Sequence, residues 1–291
     1  MTELSGKLFI CATPIGNLED ITLRALRVLR EVDLIAAEDT RRTRQLLSHF
    51  DIHTPLISYH QHNTASRIPE LIQRLKSGES IAVVSDAGTP GISDPGQELI
   101  QAAVRENLPV VPVPGPSAVI TALVAAGYDT SAFVFGGFLP RNRRAKREAL
   151  EEVAREHRTT VLYEAPHRLL DTLRLCADLM PERPVAVCRE LTKVHEEIVR
   201  GKPSFLLQYF EENIPRGEFV LVFSAVDRGS MSSSPEESGG ELTVEERLAS
   251  LLEQGYDKKT AIKIVAQERG ISKREVYGAA INLPARPMKE N

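Results

Sequence analysis

The sequence predicts an α/β protein with a largely parallel sheet in its first half, a second α/β domain, and a small helical domain at the end. Three observations carry this. Short apolar runs alternate with helix-spaced leucines as far as Gly127. Beyond it, strand-like runs follow one another more closely, with fewer helices between them. A Ser/Gly-rich stretch at 228–241 then sets off a final segment of helical spacing.

The elements follow in order. Residues 7–12 are an apolar run ending in the turn Thr13-Pro14-Ile15-Gly16. Leu23, Leu26, Leu29 and Val32 repeat with helical spacing. Strands are predicted at 34–37, 55–59, 81–84 and 110–113. Helices are predicted at 43–50, around Ile68, Leu71, Ile72 and Leu75, at 97–106, and at 117–126 with Ser117 as N-cap. In the second domain, strands are expected at 133–136, 161–164, 185–189, 196–200 and 219–224, and helices at 143–155 and 169–179. The domain division expected is 1–130, 131–227, a flexible linker at 228–241, and a helix-turn-helix-like domain at 242–291.

The chain has 291 residues, 42% hydrophobic and 26% charged, which is ordinary globular usage and room for about two domains. The net charge of −4 argues against a protein that coats nucleic acid through bulk charge. The basic residues are nevertheless gathered at 41–44, 141–147 and 258–274. The cysteines Cys11, Cys176 and Cys188 contain no C-x-x-C pair and read as buried thiols. The start of the chain has no secretory pattern, and the uncharged stretch 107–128 is broken by Pro109, Pro112, Pro114 and Pro116. The expectation is a soluble cytoplasmic protein with no membrane partner.

Val83–Gly96, VVSDAGTPGISDPG, is the most informative segment. A strand runs into a loop with Gly88, Gly91 and Gly96 and the carboxylates Asp86 and Asp94. Ligands of parallel sheets bind at the carboxyl ends of strands, and glycines let the backbone approach them. No Walker A or G-x-G-x-x-G pattern is present, so the segment suggests a ligand without an obligatory phosphate, the alternative being a plain turn rich in Gly and Pro. Thr13–Leu18 and Val113–Ala118 are further strand-end loops, readable as ligand walls or as plain turns and caps.

Glu38 and Asp39 sit at a strand end, with Arg41, Arg42 and Arg44 just after. The arginines suit phosphate, or form a solvated helix start. Arg141–Arg147 has five basic side chains in seven residues, readable as a phosphate contact or a solvated face. Tyr59-His60-Gln61-His62 makes a poor metal site, because no carboxylate or cysteine is near in sequence; no metal is expected. Tyr163–Arg168 and Arg189–Lys193 are polar clusters at strand ends, where a cleft or a surface ion pair is the choice.

Taken together, LFICATPIGNLEDITLRAL, AAEDTRRT, VSDAGTPGISDPG, VPGPSA, LYEAPHR and RELTKVHEE resemble the bacterial ribosomal RNA small subunit methyltransferase I family. That family lies in the tetrapyrrole methylase fold group, the class III methyltransferases. The resemblance covers about residues 7–226 and extends to the terminal helices. It implies a two-domain α/β core, S-adenosylmethionine as cofactor, a homodimer, and methylation of the ribose 2′-hydroxyl of a cytidine in the decoding region of small-subunit rRNA, free or in the assembled subunit. It also implies cofactor contacts at Pro14, at Asp86, Ala87, Gly88 and Ile92, at Ser117 and Ala118, and at Tyr163, Glu164, Leu191 and Gly217. The substrate RNA is expected at Arg41, Arg42, His60, Arg141, Arg143, Arg144, Arg168 and Lys193.

Such a transfer rests chiefly on holding the hydroxyl in line with the methyl group. A base that takes the hydroxyl proton would help. Glu38, Asp39, Asp94, Glu164 and His60 are candidates, and the pair Glu38/Asp39 is favoured because the arginines share its wall. Two other classes compete: a methylase of a tetrapyrrole precursor, which has little use for the basic patches, and a ligand-sensing helix-turn-helix regulator, which would bind duplex DNA.

Overall fold

The computed structural model describes residues 5–226, 244, 248, 258–269 and 273–280. The first sheet has the order β3-β2-β4-β1-β5, from β1 (Leu8–Cys11), β2 (Leu34–Ala37), β3 (Leu56–Ser58), β4 (Ile81–Val84) and β5 (Val110–Val113). Every neighbouring pair in it is parallel. Alternate residues serve opposite faces, as the two-residue period of a strand requires. Leu34, Ala36, Ile81 and Val83 pack with Leu71, Leu75 and Leu99 of α3 (Thr64–Lys76) and α4 (Gln97–Arg105). Ile35, Ala37, Ala82 and Val84 pack with Val28, Leu29 and Leu47 of α1 (Leu23–Glu31) and α2 (Thr40–His49). Burial on both faces explains why these strands read as continuous apolar runs.

The second sheet has the order β6-β7-β10-β8-β9, from β6 (Phe133–Phe138), β7 (Thr159–Glu164), β8 (Val185–Arg189), β9 (Glu197–Gly201) and β10 (Phe219–Phe223). Only β6 and β7 run parallel; β10 is antiparallel to β7 and β8, and β8 to β9. One face carries α6 (Arg143–Arg155), α7 (Pro166–Leu179) and α8 (Pro203–Glu212), with Leu150, Leu169, Leu173, Leu206 and Phe210 at zero exposure. The other face is covered by α5 (Ala118–Ala126), whose Val119, Ala122 and Leu123 meet Val161, Ala186, Val220 and Val222. This helix leaves the first sheet and covers the second, so it binds the two layers together. Arg183, 6% exposed, donates to the carbonyls of Ser224, Val153 and Arg158, which lie around the edge of this sheet.

Residues 1–228 form one compact unit holding both sheets, and 229–291 form another. Within the second, helices Lys258–Arg269 and Lys273–Ala280 share a core of Leu248, Ala261, Val265, Ala266 and Val276. The linker expected at 228–241 and the turn at 270–272 lie outside the described residues.

Several sequence expectations need correction. The helix expected at 43–50 begins at Thr40, because Asp39 caps it by accepting from Arg41 N. The helix α8 is absent from those expectations, so β9 and β10 are joined through a helix rather than directly. Ser117 occupies the N-cap position of α5 but makes no side-chain capping bond.

Candidate active site

The carboxyl ends of the parallel strands carry the loops that build the site. The loops after β1 and β4 are stitched together: Thr13 N donates to Gly88 O at 2.9 Å, and Gly88 N to Thr13 O at 3.0 Å. Gly88 holds φ +79, the left-handed region that a side chain disfavours. Further along, Gly91 N donates to Pro95 O at 3.2 Å, which folds residues 91–95 into a turn. A Cβ on Gly115 would lie 3.0 Å from that of Ala12, so the loop after β5 packs closely on the end of β1.

The second sheet closes the space from the opposite side. Tyr163 at the end of β7 lies edge-on to Phe135 at 5.0 Å and tilted against Phe138 at 5.2 Å. Because β10 is antiparallel to β7, its first residues arrive at the same level, preceded by Gly217 with φ +88. Glu190 Oε1 accepts from Glu218 N at 2.9 Å and from Lys193 Nζ at 3.0 Å. Thr192 Oγ1 accepts from Asn17 N at 3.1 Å, latching the first-sheet loop to the second sheet. Glu190 and Thr192 hold φ of +49 and +67, so this latch keeps non-glycine residues in a strained conformation.

Between these walls lies a cavity of about 330 Å³, within the size range of small-molecule sites. Eight of the residues expected at the cofactor line it: Ala87, Gly88, Ile92, Ser117, Ala118, Tyr163, Glu164 and Gly217. Pro14, Asp86 and Leu191 do not. Asp86 instead accepts from Asp39 N at 3.0 Å and pairs with Arg42 at 3.2 Å. Leu191 is buried in the core beside Ile15. The lining that sequence reasoning missed includes Ile15, Phe138, Pro166 and residues 218–220.

Carboxylates collect beside this cavity. Asp94 lines it, and burial together with the charge of Glu38 pushes its carboxyl up to about 6. Burial likewise raises Glu38, whose Oε2 accepts from Asp86 N at 3.3 Å. Asp39 behaves oppositely: its side-chain hydrogen bonds to Arg41 hold it below the usual range. Glu164 is committed inward, accepting from Thr172 Oγ1 at 2.6 Å and from Ala165 N at 2.9 Å, and forming an ion pair with Arg168 at 3.3 Å. His60 Nδ1 accepts from His62 N at 3.3 Å. Among the described residues no group of three or more His, Cys, Asp or Glu is arranged to hold a metal ion.

The basic side chains fall into two kinds. Arg41 and Arg42 face Asp39 and Asp86, Arg144 faces Glu148, and Lys193 faces Glu190 and Glu218. Arg168 donates to the carbonyls of Leu139 and Pro140. Lys146, 3% exposed, points inward to Asp171 and Thr172, so the run 141–147 is not one open phosphate-facing face. Arg141 and Arg143 are exposed and unpaired among the described residues.

Two α/β layers closing a cavity at the carboxyl edge of a parallel sheet define a class, and comparison supplies it. The family model for Tetrapyrrole (Corrin/Porphyrin) Methylases matches residues 7–204. A solved uroporphyrin-III C-methyltransferase from Thermus thermophilus, complexed with S-adenyl homocysteine, shares the fold at TM-score 0.54 and 16% identity, over 75% of this chain and 97% of that one. Among curated proteins, a ribosomal RNA small subunit methyltransferase I of Synechocystis is 48% identical over 281 residues, 96% of this chain and 99% of its own. The Thermotoga maritima protein of the same name is 49% identical over 219 residues, 75% of this chain and 98% of its own. The chain belongs to the ribosomal RNA small subunit methyltransferase I family.

Proposed function

We propose that this protein transfers the methyl group of S-adenosylmethionine to the ribose 2′-hydroxyl of a cytidine in the decoding region of small-subunit rRNA. The observation that carries the cofactor half of this reading is the cavity where both sheets meet, lined by eight residues at which the family resemblance implies the cofactor. The cytidine and its 2′-oxygen follow from that resemblance. The protein acts in the cytoplasm, with ribosomal RNA, as a homodimer.

The residues present fit such a cofactor. The wall combines apolar surface from Ile15, Ala118 and Val220 with the close backbone of Gly88 and Gly217. Ser117 leaves its hydroxyl uncommitted to capping, and Asp94 offers an anion to a cationic ligand. S-adenosylmethionine bound there supplies an electrophilic methyl group. The chain supplies position, exclusion of water and a destination for the hydroxyl proton. Asp94 holds that proton, because it lines the cavity and its affinity for protons is raised. Glu38 strengthens that affinity through its negative charge. Asp39, tied to Arg41, fixes the start of α2 and thereby the wall that carries Arg42. Carboxylates whose environments push their proton affinities apart mark divided acid–base roles.

The test incubates the purified full-length chain with methyl-labelled S-adenosylmethionine and either free rRNA or small subunits from cells lacking the enzyme. Label recovered in 2′-O-methylcytidine supports the proposal. Label on a base, or none in RNA, overturns it.

A further inference from the structure

A second cavity, of about 760 Å³, adjoins the first and shares Phe138 and Ala165 with it. Its walls carry Arg141, Lys146, His167 and Arg168 against a single carboxylate, Asp171. Their roles differ. Lys146 is buried, with Nζ held by Asp171 at 3.0 Å and Thr172 at 3.2 Å. Arg168 is held by Glu164 and by the carbonyls of Leu139 and Pro140, which fixes the turn that presents Arg141. Arg141 and His167 are exposed and, among the described residues, make no hydrogen bond or ion pair. The first turn of the 14-residue helix α7 opens here, with Pro166 at its start and no side-chain cap. Its positive end adds to the field that favours an anion.

We infer that this cavity binds a backbone phosphate of the RNA strand being methylated, with Arg141 and His167 as its direct contacts. Arg168 and Lys146 are positioning residues. The inference rests on the function proposed above and deepens it. A ribose 2′-oxygen is separated by two carbons from the 3′-oxygen that carries a phosphate. Any chain that presents this hydroxyl to the cofactor cavity must therefore set a phosphate close beside it. The neighbouring space is the cationic one. S-adenosylmethionine carries no phosphate, so the anion comes from the strand. An exposed guanidinium without an internal partner can grip it bidentately. Most of the other basic residues expected at RNA already face carboxylates.

The test uses the full-length protein with Arg141→Glu, His167→Ala, the conservative Arg141→Lys, and Lys76→Ala as control. Lys76 pairs with Glu106 at the opposite end of the first sheet. Methyl transfer to small-subunit rRNA is followed against RNA, cofactor and salt concentration. Arg141→Glu and His167→Ala are expected to raise the KM for RNA about ten-fold or more while leaving calorimetric cofactor binding unchanged. Arg141→Glu is expected to reduce the slope of log affinity against log salt by about 0.7–0.9 or more, the loss of one phosphate contact. Arg141→Lys is expected to keep most of the salt slope, and Lys76→Ala all of it. If Arg141→Glu and His167→Ala stay within about two-fold of wild type in KM and share its salt slope, the phosphate site is overturned and the proposed activity stands. A wild-type chain that transfers no methyl group to the RNA overturns that activity, and this site with it.

Discussion

Replacing Asp94 by Asn is expected to remove activity and add stability at the same time. Asp94 is pushed from its ordinary 3.8 to about 6, first by burial and next by the charge of Glu38. The folded protein therefore binds this proton more tightly than the unfolded chain does. The stability linked to the protonated group is full below pH about 4 and is lost as the pH rises through about 6. A shift of about two units corresponds to about 3 kcal/mol at most, and partial solvent contact reduces it to about 1–3 kcal/mol. Asn carries no charge and escapes that penalty. At pH 8, Asp94→Asn should raise the midpoint of unfolding, at roughly 2–4 °C per kcal/mol, and the gain should shrink as the pH falls toward 4. The same substitution removes the proton acceptor, so kcat should fall about 10²–10⁴-fold. Wild-type kcat/KM should show an acidic limb near pH 6 that the variant lacks. Calorimetry at both pH values and a pH–rate profile read all of this. A variant with near wild-type kcat, an unchanged acidic limb and no gain in stability would refute the reasoning.

Three further expectations follow from the packing. Gly217→Ala sets a Cβ about 2.3 Å from Glu190 Oε1 on a backbone at φ +88; it should cost about 1–3 kcal/mol and weaken cofactor binding about ten-fold, measured by denaturation and calorimetry. Arg183→Met deprives three backbone carbonyls of their donor and should cost about 2–4 kcal/mol in urea unfolding, with no effect on the pH–rate profile. A chain ending at residue 228 keeps both sheets and the cavity, and the Thermotoga maritima relative matches 219 residues of this chain over 98% of its own length. It should unfold cooperatively and retain cofactor binding within about two-fold.

Much of this architecture is legible in the amino-acid sequence. The central strands β1, β2 and β4 of the first sheet are buried at nearly every residue, so they stand out as apolar runs. Helix α8 escapes notice although Leu206 and Phe210 fall at helical spacing behind its N-terminal Pro203; its aromatic, apolar sequence hides that period. The first-sheet half of the cavity can be read because its glycines must lie at strand ends. Phe138 and residues 218–220 cannot, since parallel pairing of β6 with β7 and antiparallel pairing of β10 with β7 bring them there from separate parts of the chain. Charge is the least legible feature. Arg141 and Arg168 look alike as letters, yet backbone carbonyls claim one and leave the other free.

The central claim is that this chain installs a 2′-O-methyl group on a decoding-region cytidine. Nucleoside mass spectrometry of small-subunit rRNA tests it most directly, comparing cells with the protein, cells without it, and cells complemented with wild type or Asp94→Asn. The account predicts that the 2′-O-methyl mark at that cytidine disappears on deletion, returns with wild type, and stays absent with the variant. A mark that persists in the deletion strain would contradict the account.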